Sequence, residues 1–392
     1  MNSMLTMDRR DVIYSAAALS TTAVSAFPSF VAAASNPPTR MRVGVIGCGN
    51  VSASYLPHLR ASPHAELVSA CDIIPARAEA LSKAFNIPHV YPQIESMLAG
   101  AEFDLLVNLT DMQEHERLNR AALASGKHVW SEKPPANSFE AAQSLLALAE
   151  KNERWIRSVP VVVASPAFAF IAEALASRKL GRVVAAHAQY GHNGPNWAAF
   201  VHQQGGGSLL DLAVYNITTL TGLLGPARSV TAMTSVVTPT RKSERVGEIQ
   251  VVADDNAMLL MNHGDGVISH VQSGFHYFHP HDDKSGEETR ETLSIIGSEG
   301  TMGLVGYDWD PRAVDLATLE APSTRRHVIE PSGFCWQMGA SLAAESLFTG
   351  RSLLITPEHA VHVLEVIGAA TQSQEGGRLI ELQSRFEYSI GA

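Results

Sequence analysis

Arg42-Val43-Gly44-Val45-Ile46-Gly47-Cys48-Gly49-Asn50-Val51-Ser52 is the stretch on which the fold turns. Its first half is a short apolar, β-branched run, which reads as a buried strand, and its second half is a glycine turn leading into a helix. Gly47 permits a tight bend, and Gly49 leaves room for a ligand's phosphates against the backbone. The helix that opens near Asn50 and Val51 points free N–H groups and the positive end of its dipole at the same place. Ser52 stands where a third glycine or alanine is usual and is small enough to keep helix and strand close. Asp72 ends the next apolar run at the distance expected of an acceptor for ribose hydroxyls. Its carboxylate repels a 2′-phosphate, and Ile73 and Ile74 bring no compensating cation. The pattern therefore predicts bound NAD, with NADP the less favoured alternative. Pro57 falls inside the predicted helix and is expected to kink or shorten it.

Working outward, β-branched runs at residues 42–47, 66–72, 104–110 and 128–132 alternate with amphipathic stretches, which implies βαβ units and a parallel sheet. Asn137 and Glu140 read as a capping box for a helix reaching about Lys151, and residues 157–164 as a closing strand. Ligands of open parallel sheets bind beyond the carboxyl ends of the strands, so Thr110, His115, Glu132 and Lys133 are expected around one crevice. In Glu132-Lys133-Pro134 the lysine follows a strand directly. An ammonium there is able to bond the nicotinamide ribose and polarise a substrate oxygen, with its pKa lowered by desolvation.

A second constellation, Gly205-Gly206-Gly207-Ser208-Leu209-Leu210-Asp211-Leu212-Ala213-Val214-Tyr215-Asn216, approaches a helix through glycines. Asp211 and Tyr215 are four apart and share a helical face, with Thr218 and Thr219 flanking the next turn. Two readings stand side by side. In one, the carboxylate and a phenol of lowered pKa hold a sugar hydroxyl and pass its proton. In the other, Asp211 complements the helix dipole and Tyr215 is a core aromatic.

Together the glycine turn, the run Ala122-Leu123-Ala124-Ser125-Gly126-Lys127-His128-Val129-Trp130-Ser131-Glu132-Lys133-Pro134 and the Gly-Gly-Gly-Ser-Leu-Leu-Asp segment resemble the glucose-fructose oxidoreductase / inositol dehydrogenase (Gfo/Idh/MocA) family over residues 41–388. The resemblance implies an α/β protein: a Rossmann dinucleotide-binding domain, residues 41–165, then an α/β domain with a large open antiparallel sheet, residues 166–388, used for substrate binding and dimerisation. It implies NAD or NADP and a sugar or polyol substrate. Lys133 matches the family lysine and Asp211 the aspartate of the second motif. Tyr215 falls where many members carry histidine and is similar to the glucose-fructose oxidoreductase and dihydrodiol dehydrogenase branches. Thr218 stands where many relatives are acidic.

The rest of the chain narrows this. Among 392 residues the net charge is −10 and no basic run tracks a phosphate backbone, which argues against nucleic acid as a partner. Arg9-Arg10 before an uncharged, small-residue stretch looks like a twin-arginine export signal over residues 1–34, implying a periplasmic protein without a membrane anchor after cleavage. Cys48, Cys71 and Cys335 are read as free thiols. Strand-like runs at residues 182–189, 229–237, 248–262, 266–277 and 291–296 fit the broad sheet, and its uncovered face suggests a homodimer. His187, Tyr190, His192 and Trp197 are candidates for a carbohydrate pocket or for packing, and His276 for substrate contact. His276, His279 and His281 with Asp282 and Asp283 have no zinc spacing and read as a loop near the site, so no metal is expected. The expected activity is hydride transfer at a carbinol carbon of a sugar or glycoside, with a tightly held dinucleotide because free cofactor is scarce outside the cytoplasm. Redox-assisted cleavage of a glycoside on the same fold, and dinucleotide or sugar binding without turnover, are the alternatives.

Overall fold

The computed structural model describes residues 39–158, 160–277, 290–330, 333–354 and 356–387. The expected export signal lies outside them, as do His279, His281, Asp282 and Asp283. No helix of the described residues is long and apolar enough to cross a membrane.

Six parallel strands form the first sheet: β1 (Met41–Ile46), β2 (Ala65–Cys71), β3 (His89–Tyr91), β4 (Leu105–Asn108), β5 (His128–Ser131) and β6 (Ile156–Ser158), in the order β3-β2-β1-β4-β5-β6. Helices α1 (Ser52–Ala61), α2 (Pro75–Phe85), α3 (Ile94–Leu98), α4 (His115–Ala124) and α5 (Phe139–Lys151) make the crossovers. Val43, Val45, Leu105, Leu106 and Val107 are wholly buried, because helices cover both faces. Strand order reverses between β1 and β4, so the chain leaves these neighbours in opposite directions and a crevice opens beyond their carboxyl ends.

The glycine turn closes that crevice as expected. Gly47 has φ +87°, and a Cβ there would lie 2.6 Å from the Leu109 carbonyl carbon. Its N–H donates to the Cys71 carbonyl at 2.9 Å. Ser52 is buried and its hydroxyl donates to the Gly49 carbonyl at 2.7 Å, so the serine fits the small-residue position. Cys48 and Cys71 are free thiols, and burial pushes both up to about 12.

Several local expectations differ from the structure. Helix α1 runs on through Pro57 to Ala61 rather than stopping early. Ser138, not Asn137, caps α5: its hydroxyl accepts from the Ala141 N–H, while the Asn137 amide donates to the Gln113 carbonyl. Strand β6 ends at Ser158 instead of continuing to residue 164, since Pro160 has no N–H for a ladder and Val162–Ala164 coils into a 3₁₀ turn.

Helix α6 (Pro166–Ala176) leads into the second lobe. There β7 (Val183–Gly191), helix α7 (Val214–Leu224), β8 (Ser229–Ser235), the small hairpin β9 (Thr240–Ser243) and β10 (Gly247–Gln250), β11 (Asn256–Gly264), β12 (Val267–Gly274), β13 (Glu291–Gly297), β14 (Gly300–Tyr307), β15 (Asp310–Thr318) and β16 (Arg325–Val328) follow. Helices α8 (Gly339–Thr349) and α9 (Pro357–Gly376) and a short β17 (Ile380–Glu381) end the chain. Nine strands pair in the order β16-β15-β14-β13-β7-β12-β11-β8-β17. The sheet is antiparallel except that β7 and β12 run parallel, so it is mixed rather than purely antiparallel. The run at 248–262 is two strands, because the Asp255 carboxylate accepts from the Val237 and Thr238 N–H groups and bends the chain between β10 and β11.

One sheet face packs on α6, α7 and α9 through residues such as Leu259, Met261, Val271, Ile217, Leu220 and Val366. The alternate positions Met233, Met258, Leu260 and Ile268 stay exposed, as period-two alternation demands. Thr356 caps α9, its hydroxyl accepting from the His359 N–H at 3.3 Å. Helix α8 returns to the first lobe, with Ala340, Ala343 and Ala344 in one core with Val43 and Val45.

Gly47→Ala sets a Cβ against backbone and forces a left-handed φ on a residue that resists it. It is expected to lower unfolding free energy by about 2 kcal/mol or more in urea titration, whereas Gly49→Ala, with nothing within 4 Å of its Cβ, leaves stability nearly unchanged.

Candidate active site

Lys133 follows β5 and is buried at the crevice between the lobes. Its Nζ donates to the Asp211 Oδ1 at 2.7 Å and to the Asp211 carbonyl at 2.9 Å. Two of the three ammonium protons are thus held by one residue of the second lobe, and the third is available to a substrate oxygen. Nζ also stands 5.5 Å from the centre of the Tyr215 ring. The pair of motifs read apart in the sequence therefore meets in space.

Local structure explains how Asp211 and Tyr215 arrive there. Leu209–Ala213 is a π-helical turn, a widened turn that the four-residue spacing did not announce, and it leads directly into α7. Its start is fixed by Asp254, whose Oδ2 accepts from the Ser208 hydroxyl at 2.6 Å and the Leu209 N–H at 3.0 Å. Gly207, at φ +109°, brings the chain so close to Asp254 that a Cβ would sit 2.2 Å from its Oδ1. Tyr215 is buried, and desolvation, followed by the charges of Glu132 and others nearby, holds its phenol well above the usual range. The lowered pKa expected from the lysine is therefore corrected: the ammonium faces the ring and is neutralised by Asp211, so burial wins.

Glu132 is buried under this pair. Its Oε1 accepts from the Tyr55 hydroxyl at 2.6 Å and its Oε2 from the Lys133 N–H at 3.1 Å, while desolvation raises its pKa. Asp72 ends β2, with Oδ2 accepting from the Cys48 N–H and Oδ1 from the Ile74 N–H, each at 2.8 Å. The carboxylate thus shapes the glycine turn while standing where a ribose would lie. Thr110 donates its hydroxyl to the Asn108 Oδ1. The His115 ring lies between the carbonyls of Pro134 and Thr110, Nδ1 at 2.7 Å from one and Nε2 at 2.9 Å from the other; burial lowers its pKa, and the neutral ring donates its single N–H to one of the two, filling the space between the loops after β4 and β5. Asn50 is exposed on the turn, and Val51 is the N-cap residue just before α1.

The candidate carbohydrate residues separate. Tyr190, on β7, lies in an aromatic group with Tyr215 at 6.1 Å, Tyr307 at 4.8 Å and Trp309 at 6.1 Å between ring centres. His192 adjoins Tyr190, with ring centres 5.9 Å apart. Trp197 is half exposed against Phe200, and the His276 Nε2 pairs with the Asp255 Oδ2 at 2.8 Å. His276 thereby anchors the chain after β12. Among the described residues no group of three or more His, Cys, Asp or Glu is arranged to hold a metal.

Sequence reading missed Tyr55, Trp336 and Asp308. Tyr55 follows Ser52 by one helical turn, on the α1 face that meets the sheet, and that phase was its available signal. The Trp336 ring packs edge-on against Tyr55 at 5.9 Å and Tyr215 at 6.4 Å, and with Trp309, Ile329 and Phe334 it lines a cavity of about 410 Å³. Asp308, in the turn from β14 to β15, accepts from the Asn216 amide at 3.0 Å and the Thr219 hydroxyl at 2.9 Å, tying that turn to α7.

The residues fit a dinucleotide. Gly49 has nothing near its missing Cβ, so its backbone is open to phosphates; α1 begins there without an acidic residue in its first turn; and Asp72 stands at the adjacent strand end. Comparisons agree with that geometry. Residues 41–158 match the family described as an oxidoreductase family with an NAD-binding Rossmann fold, and residues 168–303 match the GFO/IDH/MocA C-terminal domain. D-glucoside 3-dehydrogenase of Escherichia coli (strain K12) is 29% identical over 52% of this chain and 60% of that protein. The scyllo-inositol 2-dehydrogenase (NADP(+)) IolW of Bacillus subtilis (strain 168) is 22% identical over 88% of this chain and 96% of that protein. A solved levoglucosan dehydrogenase, in complex with NADH and L-sorbose, superposes with a TM-score of 0.77 at 18% identity, over 88% of this chain and 99% of that one.

Burial pushes the Asp308 carboxyl up to about 6 from 3.8. The folded state then binds this proton more tightly than the unfolded chain, so the group's contribution to stability falls as pH rises from about 4 to about 6. Asp308→Asn keeps an acceptor for Asn216 and Thr219 without the charge. Its unfolding free energy, relative to the parent, is expected to rise by roughly 2–3 kcal/mol between pH 4 and pH 7 in denaturant titrations.

Proposed function

Because this chain belongs to the Gfo/Idh/MocA oxidoreductase family and carries its NAD-binding Rossmann domain, we propose that it moves hydride to or from a carbinol or carbonyl carbon of a sugar, polyol or glycoside. The observation that carries the reading is the convergence of Lys133, Asp211 and Tyr215 beyond the strand ends where the dinucleotide-binding turn opens. Bound NAD supplies the carbon that accepts or returns the hydride. Gly47, Gly49, Asn50, Val51 and Asp72 would hold its phosphates and adenosine ribose, with Thr110, Glu132 and Lys133 toward the nicotinamide end.

The protein's own part is the proton. A substrate oxygen receives the third Lys133 N–H and a hydrogen bond from the Tyr215 phenol, which its raised pKa keeps protonated at neutral pH. When the carbinol is oxidised, Nζ hands one proton to the Asp211 carboxylate, 2.7 Å away, and the neutral amine, turned about the Cε–Nζ bond so that its lone pair meets the substrate, takes the hydroxyl proton. Lysine is thus an ammonium before and after the step, and the reverse transfer serves reduction. The aromatic group of Tyr190, Tyr307, Trp309 and Trp336 supports a carbohydrate substrate, whose C–H faces pack on ring faces. Names of the relatives, which act on a glucoside and an inositol, agree with this class.

Arg9-Arg10 and the small-residue stretch after them support export by the twin-arginine route to the periplasm, with the cofactor held tightly through transport. The exposed Met233, Met258, Leu260 and Ile268 support pairing of two copies through the open sheet face.

Purified protein is to be followed at the near-ultraviolet absorbance of the reduced nicotinamide against a panel of sugars, polyols and glycosides. Reduction is expected with at least one, with Lys133→Met lowering kcat by about 10²–10⁴-fold and Tyr215→Phe by about 10²-fold while NAD binding persists. Glycoside cleavage without lasting reduction would instead identify redox-assisted elimination, and binding without turnover would overturn the enzymatic reading. For export, Arg9→Lys with Arg10→Lys is expected to retain the protein in the cytoplasmic fraction; unchanged fractionation removes that part of the proposal.

A further inference from the structure

The hairpin of β9 and β10 is built in the second lobe but ends against the first. At its tip the Arg245 Nη2 donates to the Asn50 Oδ1, at 3.0 Å, on the glycine turn. The hairpin is firmly seated. Arg241 donates to the Asn193 and Phe275 carbonyls, the Glu244 N–H to the Asn196 carbonyl at 2.8 Å, and the Val252 N–H to the His202 carbonyl at 3.0 Å.

Stability does not account for this contact. Both Arg245 and Asn50 are exposed, and an exposed hydrogen bond of this kind contributes little after its side chains are ordered. The guanidinium is also brought to the N-terminal end of α1, whose dipole is positive there and whose first turn holds no acidic residue. Positive facing positive is unfavourable until an anion lies between them, and this is the turn that binds NAD.

We propose that Arg245 grips the dinucleotide pyrophosphate from the second lobe, so that both lobes hold the cofactor and its release requires the hairpin to let go. The planar fork of arginine suits paired phosphate oxygens, which a lysine meets only as a point charge. Arg77 adds positive charge beside the same turn: it and Arg245 both act on the exposed Asp111 carboxylate, which offsets part of that charge. The proposal rests on the dinucleotide reading of the glycine turn and deepens it, making retention of the cofactor a property of the two lobes together.

The test uses the full chain freed of nucleotide, with calorimetric titration of NAD⁺, NADP⁺, ADP-ribose and adenosine and stopped-flow release of NADH. In Arg245→Gln, the dissociation constants for NAD⁺ and ADP-ribose are expected to rise about tenfold or more and NADH to leave correspondingly faster. Adenosine, which has no phosphate, is expected to bind as before, and Arg245→Lys to recover part of the loss. Thermal unfolding of the nucleotide-free variant is expected to match the parent. NAD⁺ affinity within twofold of the parent, or an equal loss for adenosine, overturns the proposal. Weakening confined to NADP⁺ also overturns it, since the guanidinium then reads a 2′-phosphate. A parent chain that binds neither NAD⁺ nor NADP⁺ overturns the dinucleotide reading itself, which the unchanged-variant outcome leaves standing.

Discussion

The ion pair between Lys133 and Asp211 is the constraint around which the two lobes are arranged. Lys133 is buried whereas the Asp211 side chain is 21% exposed, so it is the ammonium that depends on the pair: without the carboxylate its charge would lie buried and uncompensated. Each residue is placed by its own lobe: Lys133 by the end of the parallel strand β5, and Asp211 by a widened helical turn held by Asp254. Their 2.7 Å contact consequently couples the register of β5 to that of the π-helical turn.

Other links reinforce that coupling from different directions. Helix α8 comes late in the chain yet supplies alanines to the core under β1, so the first sheet is completed by sequence nearly three hundred residues away. The Trp336 ring, just before that helix, touches Tyr55 from the first lobe and Tyr215 from the second. Small side chains at Ala340, Ala343 and Ala344 let α8 approach closely, which brings the tryptophan to the crevice. Asp308 performs a similar service from the opposite side, pinning the β14–β15 turn and its aromatic neighbours to the helix that bears Tyr215.

Environment also reassigns chemistry that residue types alone suggested. A phenol beside a lysine reads as an activated base when the two are considered as an isolated pair. In the folded protein the lysine's charge is already answered by Asp211, Glu132 contributes a nearby negative charge, and the ring is buried, so the phenol is held as a donor. His276 likewise gains a structural task that its residue type did not announce: its ring pairs with Asp255 and Arg241 and secures the chain beside the hairpin.

What the sequence determined by itself was local and periodic. The strand, glycine turn and helix around Gly47, the Asp72 strand end, the alternation of the first lobe and the Thr356 cap all follow from steric and hydrogen-bonding rules acting over a few residues. Its errors were of the same range: Asn137 and Ser138 both qualify as caps, and only the carbonyl of Gln113, waiting for the Asn137 amide, decided between them. The parallel pairing of β7 with β12, the π-helical turn, and the meeting of Lys133, Asp211, Tyr215, Tyr55 and Trp336 belong to tertiary structure. Those contacts join residues tens to hundreds of positions apart, where no spacing rule operates and packing of the whole chain chooses which side chains share a dry space.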